Sequence, residues 1–172
     1  SCISATFSTG NQDKTFTGAT GGAGAITYSI TSQKKGTSTV TNFSIPTNTS
    51  NTLRIAGSTA PGTYTVVVKA TSAGDANYTS SSKESTITVT IDKADNPLTF
   101  GTTESLSVSF STSAQSKAFT GASNGVGTVT YSIQSQKKGT ADVTAFSIPT
   151  NTTASLQVAG NTVPGTYTII DD

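Results

Sequence analysis

Groups able to do acid, base or nucleophilic chemistry are few in this chain, and their spacing forms no catalytic set. The sequence has no His, so neither a Ser-His-Asp nor a Cys-His arrangement exists in it. Asp13, Asp75, Glu84, Asp92, Asp95, Glu104 and Asp142 fall in turn-forming stretches or near mid-chain. A carboxylate pair working as acid and base needs two acids held at one separation across a cleft, and this scatter offers none. The run GATGGAG, residues 18–24, precedes no helical pattern, so it reads as a flexible turn and not as a phosphate cradle. The reading is non-catalytic, with no cofactor required by any motif.

Two other patterns could carry recognition. Lys34-Lys35 and Lys137-Lys138 each lie in the motif Q-K-K-G, expected at a turn between strands. Displayed at regular steps, such pairs could meet acidic glycans, cell-wall polymers or a host protein; a solubilising hairpin tip would carry the same residues. An isopeptide crosslink would need a buried acid beside a Lys and an Asn, and no such trio is identifiable. N-x-Ser/Thr sequons place candidate glycosylation at Asn42, Asn48, Asn77 and Asn151. The single cysteine, Cys2, excludes an internal disulfide. The alternation of Ile3, Ala5 and Phe7 turns Cys2 toward the opposite, wetter face of a strand.

Composition sets the class that these residues must belong to. Ten basic against nine acidic residues leave a net charge of +1, which gives no electrostatic case for a nucleic-acid partner. No apolar run is long enough to span a bilayer, so direct membrane insertion is not expected. Ser, Thr, Gly and Asn dominate, interleaved with Val, Ile, Tyr and Phe. Thr is β-branched and polar, which suits strands with one wet face. An all-β fold of extracellular, cell-surface type is expected. The chain has no Met, so a processed or excised piece of a longer polypeptide is expected as well.

The elements repeat. KTFTGA at residues 14–19 returns as KAFTGA at 117–122, and SQKKGT at 32–37 returns unchanged at 135–140. FSIPTNT at 43–49 returns at 146–152, and PGTYT at 61–65 returns at 164–168. Every pair is offset by 103 residues without a gap, and residues 1–69 share 40 identities with residues 104–172. This is a tandem duplication. The first copy carries a closing stretch, Thr86-Ile87-Thr88-Val89-Thr90-Ile91, with no counterpart before Asp172. Leu98-Thr99-Phe100 before the second copy has none before Ser1. We therefore expect one unit over 1–93 lacking its initial strand, a linker at 94–97, and a second unit over 98–172 lacking its closing strands.

Period-two alternation predicts strands near 3–8, 14–17, 25–31, 39–45, 52–56, 63–70 and 86–91. It is clearest in Leu106, Val108 and Phe110 and in Ile87, Val89 and Ile91. Short strands separated by runs such as PTNTSN and GSTAPG predict tandem β-sandwiches of immunoglobulin-like type. The expected core is Phe7, Phe16, Tyr28, Ile30, Phe43, Ile45, Leu53, Ile55, Tyr64 and Val66. Tyr64, just after Pro61-Gly62, is placed to bond its hydroxyl to backbone as in a tyrosine corner.

The succession Tyr28-Ser29-Ile30, Ile55-Ala56-Gly57, Gly62-Thr63-Tyr64, Val68-Lys69-Ala70-Thr71 and Thr86 to Ile91 resembles bacterial immunoglobulin-like and cadherin-like tandem repeats of large adhesin-type surface proteins. The resemblance implies a structural spacer or stalk repeat in a long extracellular protein or filament. Neighbouring repeats of the same chain, or like subunits, would be its partners. An adhesive glycan- or protein-binding module, or a filament subunit completed by strand exchange, is the alternative. Asp92-Lys93-Ala94-Asp95-Asn96-Pro97 is similar in part to the cadherin linker, which implies calcium held by Asp92, Asp95 and the Asn96 carbonyl, with Glu84 or Glu104 converging. Ala94 stands where that pattern has Asn, and one residue before Pro97 is absent.

Overall fold

The computed structural model describes residues 1–101 and 103–171. Contacts divide the chain into two units, Ser1–Asp95 and Asn96–Asp172. In the first unit Thr, Ile and Val alternate along β8 (Ser81–Asp92), whose Ile87, Val89 and Ile91 are buried while their neighbours face outward. β8 runs antiparallel to β7 (Gly62–Ser72) over the full length of β7. On its other edge β8 takes β1 (Cys2–Thr6) in parallel, Ile3 opposite Val89 and Ala5 opposite Ile91. β3 (Ile26–Lys35) and the two-residue β4 (Ser38–Thr39) complete a five-stranded sheet in the order β1-β8-β7-β3-β4. A three-stranded sheet, β2 (Gln12–Thr15), β6 (Thr52–Ile55) and β5 (Phe43–Ser44), supplies Leu53, Ile55 and Phe43 to the same core.

The expected core residues all join this cluster. Phe16, Phe43, Leu53, Ile55, Tyr64 and Val66 are buried, and Phe7, Tyr28, Ile30 and Ile45 pack against them half-buried. Ile3, Ala5, Val68, Ile87, Val89 and Ile91 are added, because β1 and β8 close one side. Boundaries differ from the alternation. The stretch 39–45 breaks into β4 and β5, which belong to different sheets. The strand expected at 14–17 starts at Gln12, where Arg54 of β6 pairs with Asp13 at 2.8 Å.

β3 contains a bulge at Thr31: Ile30 faces Val68 and Ser32 faces Val67. One extra residue exchanges the faces of all that follows. Gln33 and Lys35, opposite Val66 and Tyr64, therefore share the inward face. The strand then turns through Gly36-Thr37 with Gly36 at φ 62°, the first position of a two-residue type II′ hairpin where only Gly is unstrained. Gly57 is required differently. A Cβ there would overlap the Thr9 carbonyl, and Gly160 stands in the same relation to Thr112.

The second unit repeats most of this plan. β9 (Gln115–Ala118), β13 (Ser155–Val158) and β12 (Phe146–Ser147) form one three-stranded sheet. β10 (Ile133–Lys138), β11 (Ala141–Asp142) and β14 (Tyr167–Asp171) form the other. The bulge recurs at Gln134, between Ile133 and Ser135. The strand expected from Leu106, Val108 and Phe110 does not form. Its counterpart β1 is held by β8, and the described residues of 96–172 contain no equivalent of β8. Backbone N–H and C=O groups need a ladder partner to make a strand, so alternation alone leaves 105–109 irregular. Leu98-Thr99-Phe100 contributes one antiparallel bridge, Thr99 to Ser123, in place of a strand. The protein is thus all-β, with two separable pairs of sheets consistent with a small immunoglobulin-like sandwich, duplicated.

Candidate functional site

The bulge splits each lysine pair. Lys34 points outward, whereas the Lys35 ammonium donates to the Pro61 carbonyl at 3.1 Å and lies 5.5 Å from the Tyr64 ring centroid. Lys138 does the same with Pro164 at 3.3 Å and Tyr167 at 5.6 Å. Beneath each, the tyrosine hydroxyl donates to a carbonyl four residues earlier, Tyr64 to Ala60 at 2.6 Å and Tyr167 to Val163 at 2.5 Å. Lys35 and Lys138 are therefore clamps over the tyrosine corner. Lys34 is exposed and makes no such contact among the described residues. Lys137 lies 3.7 Å from Asp142 with both side chains largely in solvent, a geometry that holds little energy.

Beside each clamp a glutamine ties the two sheets. The Gln33 amide donates to the Phe43 carbonyl at 3.1 Å while its oxygen accepts from the Phe43 N–H at 2.9 Å. Gln136 and Phe146 repeat the pair at 3.0 and 2.9 Å. Aromatic edges pack alike in both units: Phe16 on Tyr28 and Phe119 on Tyr131, each at 5.3 Å between centroids. The half-buried Gln33 and the exposed Lys35 lie on the face of Val66 and Tyr64, which alternation misassigns once the bulge is missed.

The acidic residues near mid-chain do not form one set. Glu84 and Asp92 both lie on β8, eight residues apart, which at about 3.3 Å per residue separates them by roughly 26 Å. Two ligands of one calcium ion lie within about 5 Å of each other, so Glu84 and Asp92 cannot share one. Glu84 stands opposite Lys69 in the ladder. Glu104 accepts from the Thr120 N–H at 2.8 Å and its hydroxyl at 3.1 Å. The Asn96 side chain bonds the Val126 backbone in both directions, at 3.2 and 3.1 Å. Asp92 and Asp95 are exposed. Among the described residues no three His, Cys, Asp or Glu side chains gather as a metal site, and no catalytic arrangement is found.

Of the sequons, Asn48, Asn77 and Asn151 are exposed and Asn42 is half-buried. The carbonyls of Asn48 and Asn151 accept from the Tyr28 and Tyr131 N–H groups, both at 2.7 Å, which anchors the backbone and leaves the side chains outside. Cys2 is exposed, as its place in the alternation requires. A shallow depression of about 550 Å³ lies in the first unit between Gly21-Gly22 and the exposed Tyr78.

A second concavity belongs to the second unit. A cleft of about 870 Å³ opens between its sheets, lined by Leu106, Val108, Phe119, Leu156, Tyr167 and Ile169 among others. Leu106 is 41% exposed and Phe110 58%, whereas their counterparts are Ile3, 7% exposed, and the half-buried Phe7. In the first unit Ile87, Val89 and Ile91 fill the corresponding space. Asp171 stands where the first unit has the buried Val68. Its Oδ1 is buried and makes no hydrogen bond among the described residues. Burial first, and the negative charge of Glu104 second, push its carboxyl above the usual carboxylate range.

No protein-family model matches the chain, and no curated protein matches it in sequence. Among solved structures it is similar to Drosophila N-cadherin EC1-4, with 13% identity and a TM-score of 0.38. That superposition covers 98% of this chain and 46% of the other, so the chain spans less than half of that structure. Likeness at this level assigns the chain to no family.

Proposed function

We propose that the chain is a run of structural spacer repeats from a long extracellular surface protein or filament, built as tandem immunoglobulin-like, cadherin-like sandwiches of the bacterial adhesin type. The observation that carries this is the identical internal bracing of the two copies. The lysine clamp, tyrosine corner, glutamine tie and aromatic edges recur at an offset of 103 residues. Those side chains hold each unit's own fold, as expected where a repeat has only to fold and join its neighbour. Units at 1–93 and 98–172 with a linker at 94–97 fit this reading. Partners are then neighbouring repeats or like subunits, and the exposed Lys34, Lys137, Asn48, Asn77 and Asn151 are where cell-wall or host molecules and glycans would be met. Calcium on the Asp92–Asn96 oxygens would stiffen the linker, and a melting temperature unmoved by calcium or chelator removes it.

The test is the intact mass of the native polypeptide under denaturing and reducing conditions, combined with a glycan array. A mass many times that of 172 residues and no retained glycan support the spacer. Saturable binding of one glycan class by the isolated chain would make it an adhesive module.

A further inference from the structure

We propose that Asn124-Gly125 is a self-modifying site, at which the asparagine side chain cyclises onto the Gly125 backbone nitrogen and thereby releases residues 96–99 from the loop 121–127. It is the only Asn-Gly step in the sequence, and with no Cβ beside it a glycine nitrogen is the least hindered backbone nucleophile. The Gly125 nitrogen attacks Cγ of Asn124. The new N–Cγ bond forms as the Cγ–Nδ2 bond breaks, and ammonia leaves with the proton of the Gly125 N–H. Solvent water then opens the five-membered imide at one carbonyl or the other. The product is aspartate, or isoaspartate with the main chain rerouted through the former side chain.

The fold exposes the reacting groups. Asn124 is exposed, and its amide reaches only the Thr99 hydroxyl, at 3.4 Å, too long for a strong bond. Among the described residues the Gly125 N–H makes no hydrogen bond, so none has to break before the nitrogen reacts. The backbone also accounts for the asparagine. Its φ is 61°, and its counterpart in the first unit is Gly21 at 78°; Asn is among the few side chains that adopt this region readily. The reaction bears on what the loop holds. On one side of the pair, Thr99 and Ser123 exchange backbone hydrogen bonds, both at 2.9 Å. On the other, the Asn96 side chain bonds the Val126 backbone in both directions. Isoaspartate lengthens the main chain between these two fastenings by one carbon, so Ser123 and Val126 cannot both keep their partners. The first unit has Gly21-Gly22 at the same place, which confines the reaction to the second unit. The inference concerns this loop alone and stands whether the whole protein is a spacer or an adhesin.

The experiment ages the full chain at physiological temperature in mildly alkaline buffer, beside a free peptide of sequence Ala122–Thr128 as the unconstrained reference. Tandem mass spectrometry with electron-transfer fragmentation locates each conversion and separates aspartate from isoaspartate. Asn124 is expected to convert at least about tenfold faster than any other asparagine, with isoaspartate the larger product. Amide hydrogen exchange at Thr99 and Val126 should be at least about tenfold faster in the modified fraction. Asn124→Gly, which installs the residue of the first unit, should abolish both changes. Asn124 left intact once the free peptide has reacted, or converted no faster than the asparagines that precede Thr, overturns the site. Unchanged exchange at Thr99 and Val126 in the modified chain, or the same rise in aged Asn124→Gly, overturns the release. The glycan array and the count of repeats by mass do not depend on this loop, so the two proposals fail separately.

Discussion

Replacing Ile3 and Leu106 by Ala, one at a time, measures what β8 does for a unit. The two residues are equivalent by the 103-residue offset and nearly equal in volume, but Ile3 is 7% exposed and Leu106 is 41% exposed. Each substitution removes three carbons, worth about 0.8 kcal/mol apiece when fully buried, or about 2.4 kcal/mol. At Ile3, walled in by Val89 and Ile91 across the parallel ladder, a residual cavity raises the cost to about 3 kcal/mol. At Leu106 roughly 60% of the transfer energy is at stake and water fills the gap, which leaves about 1.4 kcal/mol. Units of this size lose about 4–8 °C per kcal/mol. Calorimetry of the full chain should show one transition falling by roughly 12–24 °C for Ile3→Ala and the other by no more than about 11 °C for Leu106→Ala. Equal shifts would refute the reasoning, because they would mean that Leu106 is as enclosed as Ile3. An Ile3→Ala loss under about 1 kcal/mol would refute it from the other side.

Three further outcomes follow from the bracing. Gln33→Ala leaves the Phe43 N–H and carbonyl without their side-chain partners, which should cost about 2 kcal/mol in urea unfolding and strip exchange protection from the Phe43 amide. Lys35→Ala should destabilise the first unit by about 1 kcal/mol, through the lost carbonyl bond and ring contact, while Lys34→Ala changes it by less than about 0.5 kcal/mol; equal effects would show that the bulge does not separate them. The Asp13 carboxyl is held below its usual range, chiefly by its hydrogen bonds to Arg54 and then by that residue's charge. A depressed folded pKa means that the contribution is present above the unfolded carboxylate range and is lost as pH falls through the folded value. An NMR titration should find the Asp13 pKa low and returning toward normal in Arg54→Gln, with no analogue at Ser116 and Gln157.

Much of the architecture was legible because it is local. Alternation along Thr86–Ile91 and Gly62–Val68 names the buried face of each strand, and self-comparison names the duplication. Tyr64 declared its corner through its place after Pro61-Gly62. The destination of Cys2 followed from Ile3, Ala5 and Phe7. The acids at mid-chain were harder to read. The resemblance to a calcium linker drew Glu84 and Asp92 together, whereas a continuous β8 holds them apart by its own length.

Sequence by itself determined the all-β class, the repeat, the absence of a histidine-dependent site and most of the core. Tertiary structure decided which lysine of each pair lies over its tyrosine, because a single bulge at Thr31 or Gln134 reverses every face beyond it without leaving a mark in composition. It also decided that Leu106, Val108 and Phe110, the clearest alternation in the second copy, make no strand. A strand exists only where its backbone groups meet a partner's, and for β1 that partner, β8, lies far away along the chain.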